Sequence, residues 1–289
     1  MNTLIIGSGF GSYGYLPAIY NLSERIYLDS KYKKKILNRI ELRKCLNKIF
    51  WYQDIRAIIR GIDYLIVAQK PEDQDSIVRK LIKIHKPRYI FLEKPISNNP
   101  SNSTKLINFL EKNKIKFSVG FLFKYLKWYK FIERKKSTEE RFKISWHIKI
   151  NKKNNSWKYL HEAGGGLTRF YAIHFIRIFY DLKFLKIHKI LKRKNYLYIN
   201  LLDDMKNQIE FEVKFAKNNL FIVKHNNKKC FMSYNPFLKP IQKKNDPRVY
   251  VLNKYLNDII KNFKLNYLYE KKFIKFWDKI EKKNEYKKL

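Results

Sequence analysis

The sequence predicts an α/β domain over residues 1–120 joined to an α+β domain over residues 121–289. Three observations carry this. Over the first 120 residues short apolar runs alternate with helical stretches, the pattern of a parallel sheet. A glycine-rich turn, Gly7-Ser8-Gly9-Phe10-Gly11-Ser12, directly follows the opening run. Between about 187 and 234, five strand-like segments succeed one another without helices, which suggests an antiparallel sheet.

Taken in order, "TLII" is the first strand, "RIYLD" the second and "KIFWY" the third. A short helix runs from about Asp54 to Gly61, a residue suited to a helix end. "DYLIVA" is apolar throughout, as a strand covered on both faces must be. Pro71 breaks it, and a helix from about Asp73 carries Ile77, Val78, Leu81 and Ile82. "YIFLE" is the next strand, and Ser101 or Ser103 is positioned to cap the helix bearing Leu106, Ile107 and Leu110. "IKFSVG" closes the first half. Beyond it come an asparagine-rich loop near 151–156, Gly164-Gly165-Gly166, a helix to about Asp181, the five strands, and two helices from about Asp246. Pro17 puts the start of the first helix near Gly14.

With hydrophobic residues at 45% and aromatics at 16%, the composition is globular. Cys45 and Cys230 form no C-x-x-C or His/Cys cluster, so neither a disulfide scaffold nor a metal site is expected. No run approaches the roughly 18 apolar residues of a membrane span, and the early strand leaves no room for a signal peptide. A cytoplasmic protein is expected. The formal charge of +38 raises the question of a polyanionic partner. Yet the lysines are spread in short runs, and the chain is equally rich in Asn, Ile, Tyr and Phe, whose codons share the A/T bias of lysine codons. No nucleic-acid partner is expected on this ground. A nucleic-acid-associated protein stays open as an alternative, to be separated by the salt dependence of binding.

The glycine turn is the first functional signal. Glycines allow a tight turn and bring backbone N–H groups close to a pyrophosphate, so Gly7, Ser8, Gly9, Phe10, Gly11 and Ser12 are candidate cofactor contacts. The third glycine falls one place early, and Ser12 stands where glycine or alanine is usual. Asp29 ends the second strand about 20 residues on, where an acid binds the ribose 2′-hydroxyl of NAD. Ser30, Lys31 and Lys33 follow and suit a 2′-phosphate, so NAD and NADP both stay open, with a slight lean to NAD.

The second signal is Glu93-Lys94-Pro95, closing the apolar run "RYIFLEKP". Together with "LIIGSGFGSYGYLPAI", "IDYLIVAQKPEDQ", "VGFLFKY" and "GGGLTRFYAIH", this segment resembles the Gfo/Idh/MocA family, that of glucose-fructose oxidoreductase and inositol dehydrogenase. The resemblance implies a Rossmann domain followed by a domain with an open, mostly antiparallel sheet. It implies hydride transfer between nicotinamide and a sugar, sugar nucleotide or related hydroxy compound. It sets Ala68, Pro71, Glu93 and Lys94 beside the cofactor, and makes Lys94 the residue that reaches the reacting hydroxyl, with a cis peptide commonly before the proline. Lys124 falls where relatives often carry arginine and is a candidate substrate contact. Pairing of copies through the open sheet is the default the resemblance suggests.

By the same resemblance, the helix after the glycines presents an aspartate and, one turn later, a histidine. His174 matches the histidine; the aspartate position is Phe170. Leu167, Phe170, Tyr171, His174 and Ile178 share one helical face by spacing. A carboxylate there would orient His174 and favour its charged form, which phenylalanine cannot do. His174 is therefore either a substrate-contacting, proton-transferring residue or a core histidine, and Tyr171 a possible hydroxyl beside it. His161, in the loop before the glycines, reads as solvated. A cofactor-binding relative without activity is the alternative that Phe170 keeps open.

Overall fold

The computed structural model describes residues 1–150, 156–239, 246–262 and 265–283. The loop expected over 151–156 lies, apart from Ser156, outside the described residues. The chain divides into two compact units, Met1–Gly120 with Ile241–Tyr267, and Phe121–Pro240 with Leu268–Leu289.

The first unit is built on six strands: β1 (Asn2–Ile6), β2 (Arg25–Asp29), β3 (Ile49–Tyr52), β4 (Tyr64–Val67), β5 (Tyr89–Leu92) and β6 (Phe117–Val119). They lie in the order β3-β2-β1-β4-β5-β6 and all pair in parallel. Leu4 faces both Tyr27 and Leu65 across the central register. This is the doubly wound order, whose direction reverses between β1 and β4 and opens a crevice at the carboxyl ends of those strands. Leu4, Ile5, Leu65, Ile66, Val67, Ile90, Phe91 and Leu92 are fully buried, as the continuous apolar runs predict.

The helices of this unit are α1 (Leu16–Ile19), α2 (Lys33–Leu37), α3 (Ile55–Ile58), α4 (Pro71–Ile84) and α5 (Pro100–Lys112). Three starts differ from expectation. Pro71 does not stop before the helix but occupies its first turn, where the missing N–H costs nothing, so α4 begins two residues earlier than Asp73. α5 is capped by neither serine: Asn99 accepts from the Asn102 N–H at 2.8 Å, with Pro100 behind it. Helical backbone also begins at Gly11, as a π turn over Gly11–Tyr15 that runs into α1.

The second unit holds α6 (Lys127–Lys135), β7 (Arg141–Lys149), α7 (Ile173–Asp181), β8 (Lys186–Arg193), β9 (Tyr196–Leu202), β10 (Gln208–Ala216), β11 (Leu220–His225) and β12 (Lys228–Ser233). The sheet order is β12-β11-β7-β10-β9-β8. It is mostly antiparallel, as expected, with β7 and β10 the parallel pair. Sequence reading missed β7, although Phe142, Ile144 and Ile148 alternate on its buried face, and missed α6, which buries Trp128, Tyr129 and Ile132. Phe175 of α7 stacks on Phe211 at 4.3 Å and on Trp128 at 5.6 Å, the centre of this core.

Two further helices are α8 (Pro247–Asn262) and α9 (Tyr267–Lys282). The second domain does not run unbroken over 121–289, since 241–267 joins the first unit. The reason is the apolar stripe of α8, Val251, Leu252, Tyr255, Leu256 and Ile259, which packs against α1. Asn253 donates to the Ala18 carbonyl at 2.9 Å, and the Tyr255 hydroxyl bonds Ser118 at 2.8 Å. No helix among the described residues is long and apolar enough to cross a membrane.

Candidate active site

The glycine turn leaves β1 at the reversal point of the first sheet. Gly7 has φ +120°, and a Cβ there would lie 2.2 Å from the Ala68 carbonyl oxygen, so only glycine lets the turn pass this close to the end of β4. Gly11 also abuts Ala68, at 3.3 Å from a Cβ to its methyl. A Cβ on Gly9, in contrast, would meet nothing within 4 Å. Ser12 is buried, and its hydroxyl has no hydrogen-bond partner among the described residues. Open space over Gly9 beside an unsatisfied buried hydroxyl fits an anionic ligand crossing the turn. Lys35 of α2 reaches back to the Ser8 hydroxyl at 3.2 Å.

Asp29 ends β2 next to the turn. Its carboxylate accepts from the Lys31 N–H at 3.0 Å and pairs with the Lys31 ammonium at 2.6 Å. That pairing raises the lysine's pKa. Ser30 opens the short helical turn that follows.

Glu93 follows β5, and the Lys94-Pro95 peptide is cis. The segment is held by a residue that sequence reading overlooked. Gln74, fully buried on α4, accepts from the Glu93 N–H at 3.0 Å and donates to the Glu93 and Ile96 carbonyls, each at 2.9 Å. The available signal was a glutamine on the apolar face of α4, in step with Val78, Leu81 and Ile82. The Glu93 side chain accepts from the Tyr15 hydroxyl at 2.7 Å. Burial pushes the Glu93 carboxyl up, against the pull of the Tyr15 hydrogen bond and the charges of Lys94 and Arg248. Burial and Glu93 raise Tyr15 as well.

Residues 1–121 match the model of the Gfo/Idh/MocA oxidoreductase family, described as having an NAD-binding Rossmann fold. The residues of this matched segment singled out from sequence, Gly7 to Ser12, Asp29 to Lys31, Ala68, Pro71, Glu93 and Lys94, all lie at or just past the carboxyl ends of β1, β2, β4 and β5.

The fold has solved counterparts over nearly its whole length. A dehydrogenase (MviM) from Clostridium difficile is 15% identical with a TM-score of 0.68, covering 98% of each chain. The WlbA (WbpB) dehydrogenase from Thermus thermophilus, in complex with NAD and UDP-GlcNAcA, is 10% identical with a TM-score of 0.72, covering 96% of this chain and 93% of that one. UDP-N-acetylglucosamine 3-dehydrogenase GnnA from Acidithiobacillus ferrooxidans is 8% identical with a TM-score of 0.66, covering 97% and 96%. No curated protein matches the sequence.

The second unit carries the remaining candidates. His174 is buried near the start of α7, its ring stacked on Phe123 at 4.2 Å and edge-on to Phe121 at 6.1 Å. The helical face read from spacing is altered, because Leu167–Ala172 form a π turn before α7 begins. Phe170 accordingly packs edge-on to Trp157 and Tyr171, at 5.4 Å and 4.9 Å. Tyr171 also meets Trp146 and Phe215, and burial followed by the neighbouring Tyr159 keeps its phenol protonated at any ordinary pH. The Lys124 ammonium lies 4.8 Å from the Tyr125 ring. His161 is exposed, and its carbonyl accepts from Arg169 at 3.0 Å. Among the described residues no group of His, Cys, Asp and Glu could hold a metal ion.

Proposed function

We propose that the chain is an NAD(P)-dependent oxidoreductase that exchanges a hydride with the hydroxyl-bearing carbon of a sugar, sugar nucleotide or related compound. One observation carries this: the glycine turn, Asp29 and Glu93-Lys94-Pro95, far apart in sequence, converge on the strand ends around the β1/β4 reversal. The names of WlbA and GnnA support sugar nucleotides as the substrate class.

In this reading Gly9 gives room to the pyrophosphate and the Ser12 hydroxyl bonds it. Asp29 takes the ribose 2′-hydroxyl, which favours NAD, while the exposed ammonium of Lys31 suits a 2′-phosphate. A bound nicotinamide would supply the acceptor for a hydride from the substrate carbon. Oxidising an alcohol also releases the hydroxyl proton, and Lys94 holds that oxygen and carries the proton away at Nζ. Gln74 and the Tyr15–Glu93 pair fix the backbone from which Lys94 projects. His174, Tyr171 and Lys124 complete the proposal as substrate contacts.

Fluorescence titration with NADH and NADPH tests the cofactor reading: saturable binding of one is expected, and binding of neither would overturn it. Lys94→Ala is expected to abolish turnover of sugar nucleotides with cofactor affinity retained; unchanged turnover would remove Lys94 from the chemistry. A second reading, a cofactor-binding protein without turnover, is favoured by the aromatic packing of Phe170 where a carboxylate would orient His174. Its mark would be cofactor binding without turnover of any sugar nucleotide offered.

A further inference from the structure

We infer that Arg248 is a cofactor-binding residue: its guanidinium, brought onto the glycine turn by α8, takes the pyrophosphate of the dinucleotide. The inference rests on the cofactor reading above. From Gly7 to Ala18 the chain carries no charged side chain, so the turn meets a doubly negative group with backbone N–H groups and hydroxyls alone. Arg248 comes from 235 positions beyond Tyr13, yet its guanidinium lies 5.2 Å from the Phe10 ring and 5.4 Å from the Tyr13 ring. Those two rings bracket Gly11 and Ser12, and they meet each other edge-on at 5.4 Å.

The guanidinium is oriented before any ligand arrives. Asp246 accepts from its Nε at 2.9 Å and from its Nη2 at 2.5 Å, and Asp246 is itself held by the Arg248 N–H at 2.9 Å. Nη1 makes no hydrogen bond among the described residues. A planar fork fixed along one edge through two nitrogens, backed by aromatic faces and with its third nitrogen unengaged, presents a donor to an anion with little ordering left to do. Its charge also acts on the Glu93 carboxylate, so it lies electrically between the turn and the end of β5.

A second arginine provides the contrast. The Arg39 guanidinium also lies 5.1 Å from the Tyr13 ring and, like that of Arg248, pairs with a nearby carboxylate, here Glu41. If the effect were general attraction of an anion, the two arginines would be equivalent.

The test compares Arg248→Met, Arg248→Lys and Arg39→Met with the wild type, by fluorescence titration with NADH and calorimetric titration with ADP. Thermal unfolding without ligand serves as the check on folding. Losing a charge-assisted hydrogen bond is expected to weaken NADH and ADP binding by Arg248→Met on the order of tenfold. Arg248→Lys, which keeps charge and stem, is expected to fall between it and the wild type. Arg39→Met is expected to stay near the wild type. Wild-type affinity in the Arg248 variants, or equal weakening by Arg39→Met, would overturn the assignment. Should Arg248→Met fail to fold, Arg248→Lys decides: undiminished affinity for both ligands refutes the contact. A wild-type protein that binds neither NADH nor NADPH would instead refute the cofactor reading itself.

Discussion

The Tyr15 hydroxyl donates a 2.7 Å hydrogen bond to the Glu93 carboxylate, tying the helical turn after the glycines to the segment that carries Lys94. Tyr15 is fully buried and Glu93 half-buried, and they lie against Gly120, where a Cβ would come 2.8 Å from the Tyr15 oxygen and 3.1 Å from Glu93 Oε1. The glycine turn and the segment carrying Lys94 are thus joined in one hydrogen-bonded assembly.

Removing the donor leaves a half-buried carboxyl short of a partner. Tyr15→Phe is expected to lose about 1–3 kcal/mol of stability, read as a lower unfolding temperature of the first unit. Unfolding indistinguishable from the wild type would mean that the pair contributes nothing net.

Glu93 makes the stability depend on pH in a defined direction. Its carboxyl is raised above the ordinary 4.5 by burial, so the folded chain holds the proton more tightly than the unfolded chain does. The stability this group contributes is full below 4.5 and is lost as pH rises through the folded value. Glu93→Gln, which cannot ionise, is expected to flatten that decline, gaining on the wild type as pH increases. Parallel curves of unfolding temperature against pH for the two proteins would contradict it.

Two glycines of the turn should fail in different ways. Gly7→Ala forces a Cβ to 2.2 Å from the Ala68 carbonyl at φ +120°, so it is expected to lower both stability and cofactor affinity. Gly9→Ala adds a methyl to open space, so the fold should stay intact while NADH binding weakens. Undiminished NADH affinity in Gly9→Ala would move the pyrophosphate away from this turn.

Gln74 positions Lys94 without being chemically reactive. Gln74→Leu keeps the volume but takes the amide donor from the Glu93 and Ile96 carbonyls and leaves the Glu93 N–H with the Val67 carbonyl alone. Turnover is expected to fall roughly tenfold, with the NADH dissociation constant little changed. An equal loss in both would assign Gln74 to the cofactor site as a whole.

Much of this was legible in the chain. The apolar runs of β1, β4 and β5 announced a parallel sheet because strands covered on both faces admit only apolar residues. The glycines, Asp29 and Glu93-Lys94-Pro95 were legible because each is a local device, a turn or a strand end. What depended on tertiary structure is of another kind. Gln74, Tyr15 and Arg248 act at distances of 19, 78 and far more residues along the chain, and nothing in their immediate neighbours marks them. Likewise β7 was hidden because its partners β10 and β11 lie beyond residue 200, and α8 belongs to the first unit because its apolar stripe finds α1 there. Local sequence determines what a segment can become, through backbone freedom and the period of its apolar residues. Which buried polar group meets which partner is decided only when distant segments are packed together, since desolvation makes each one demand a mate that sequence proximity does not supply.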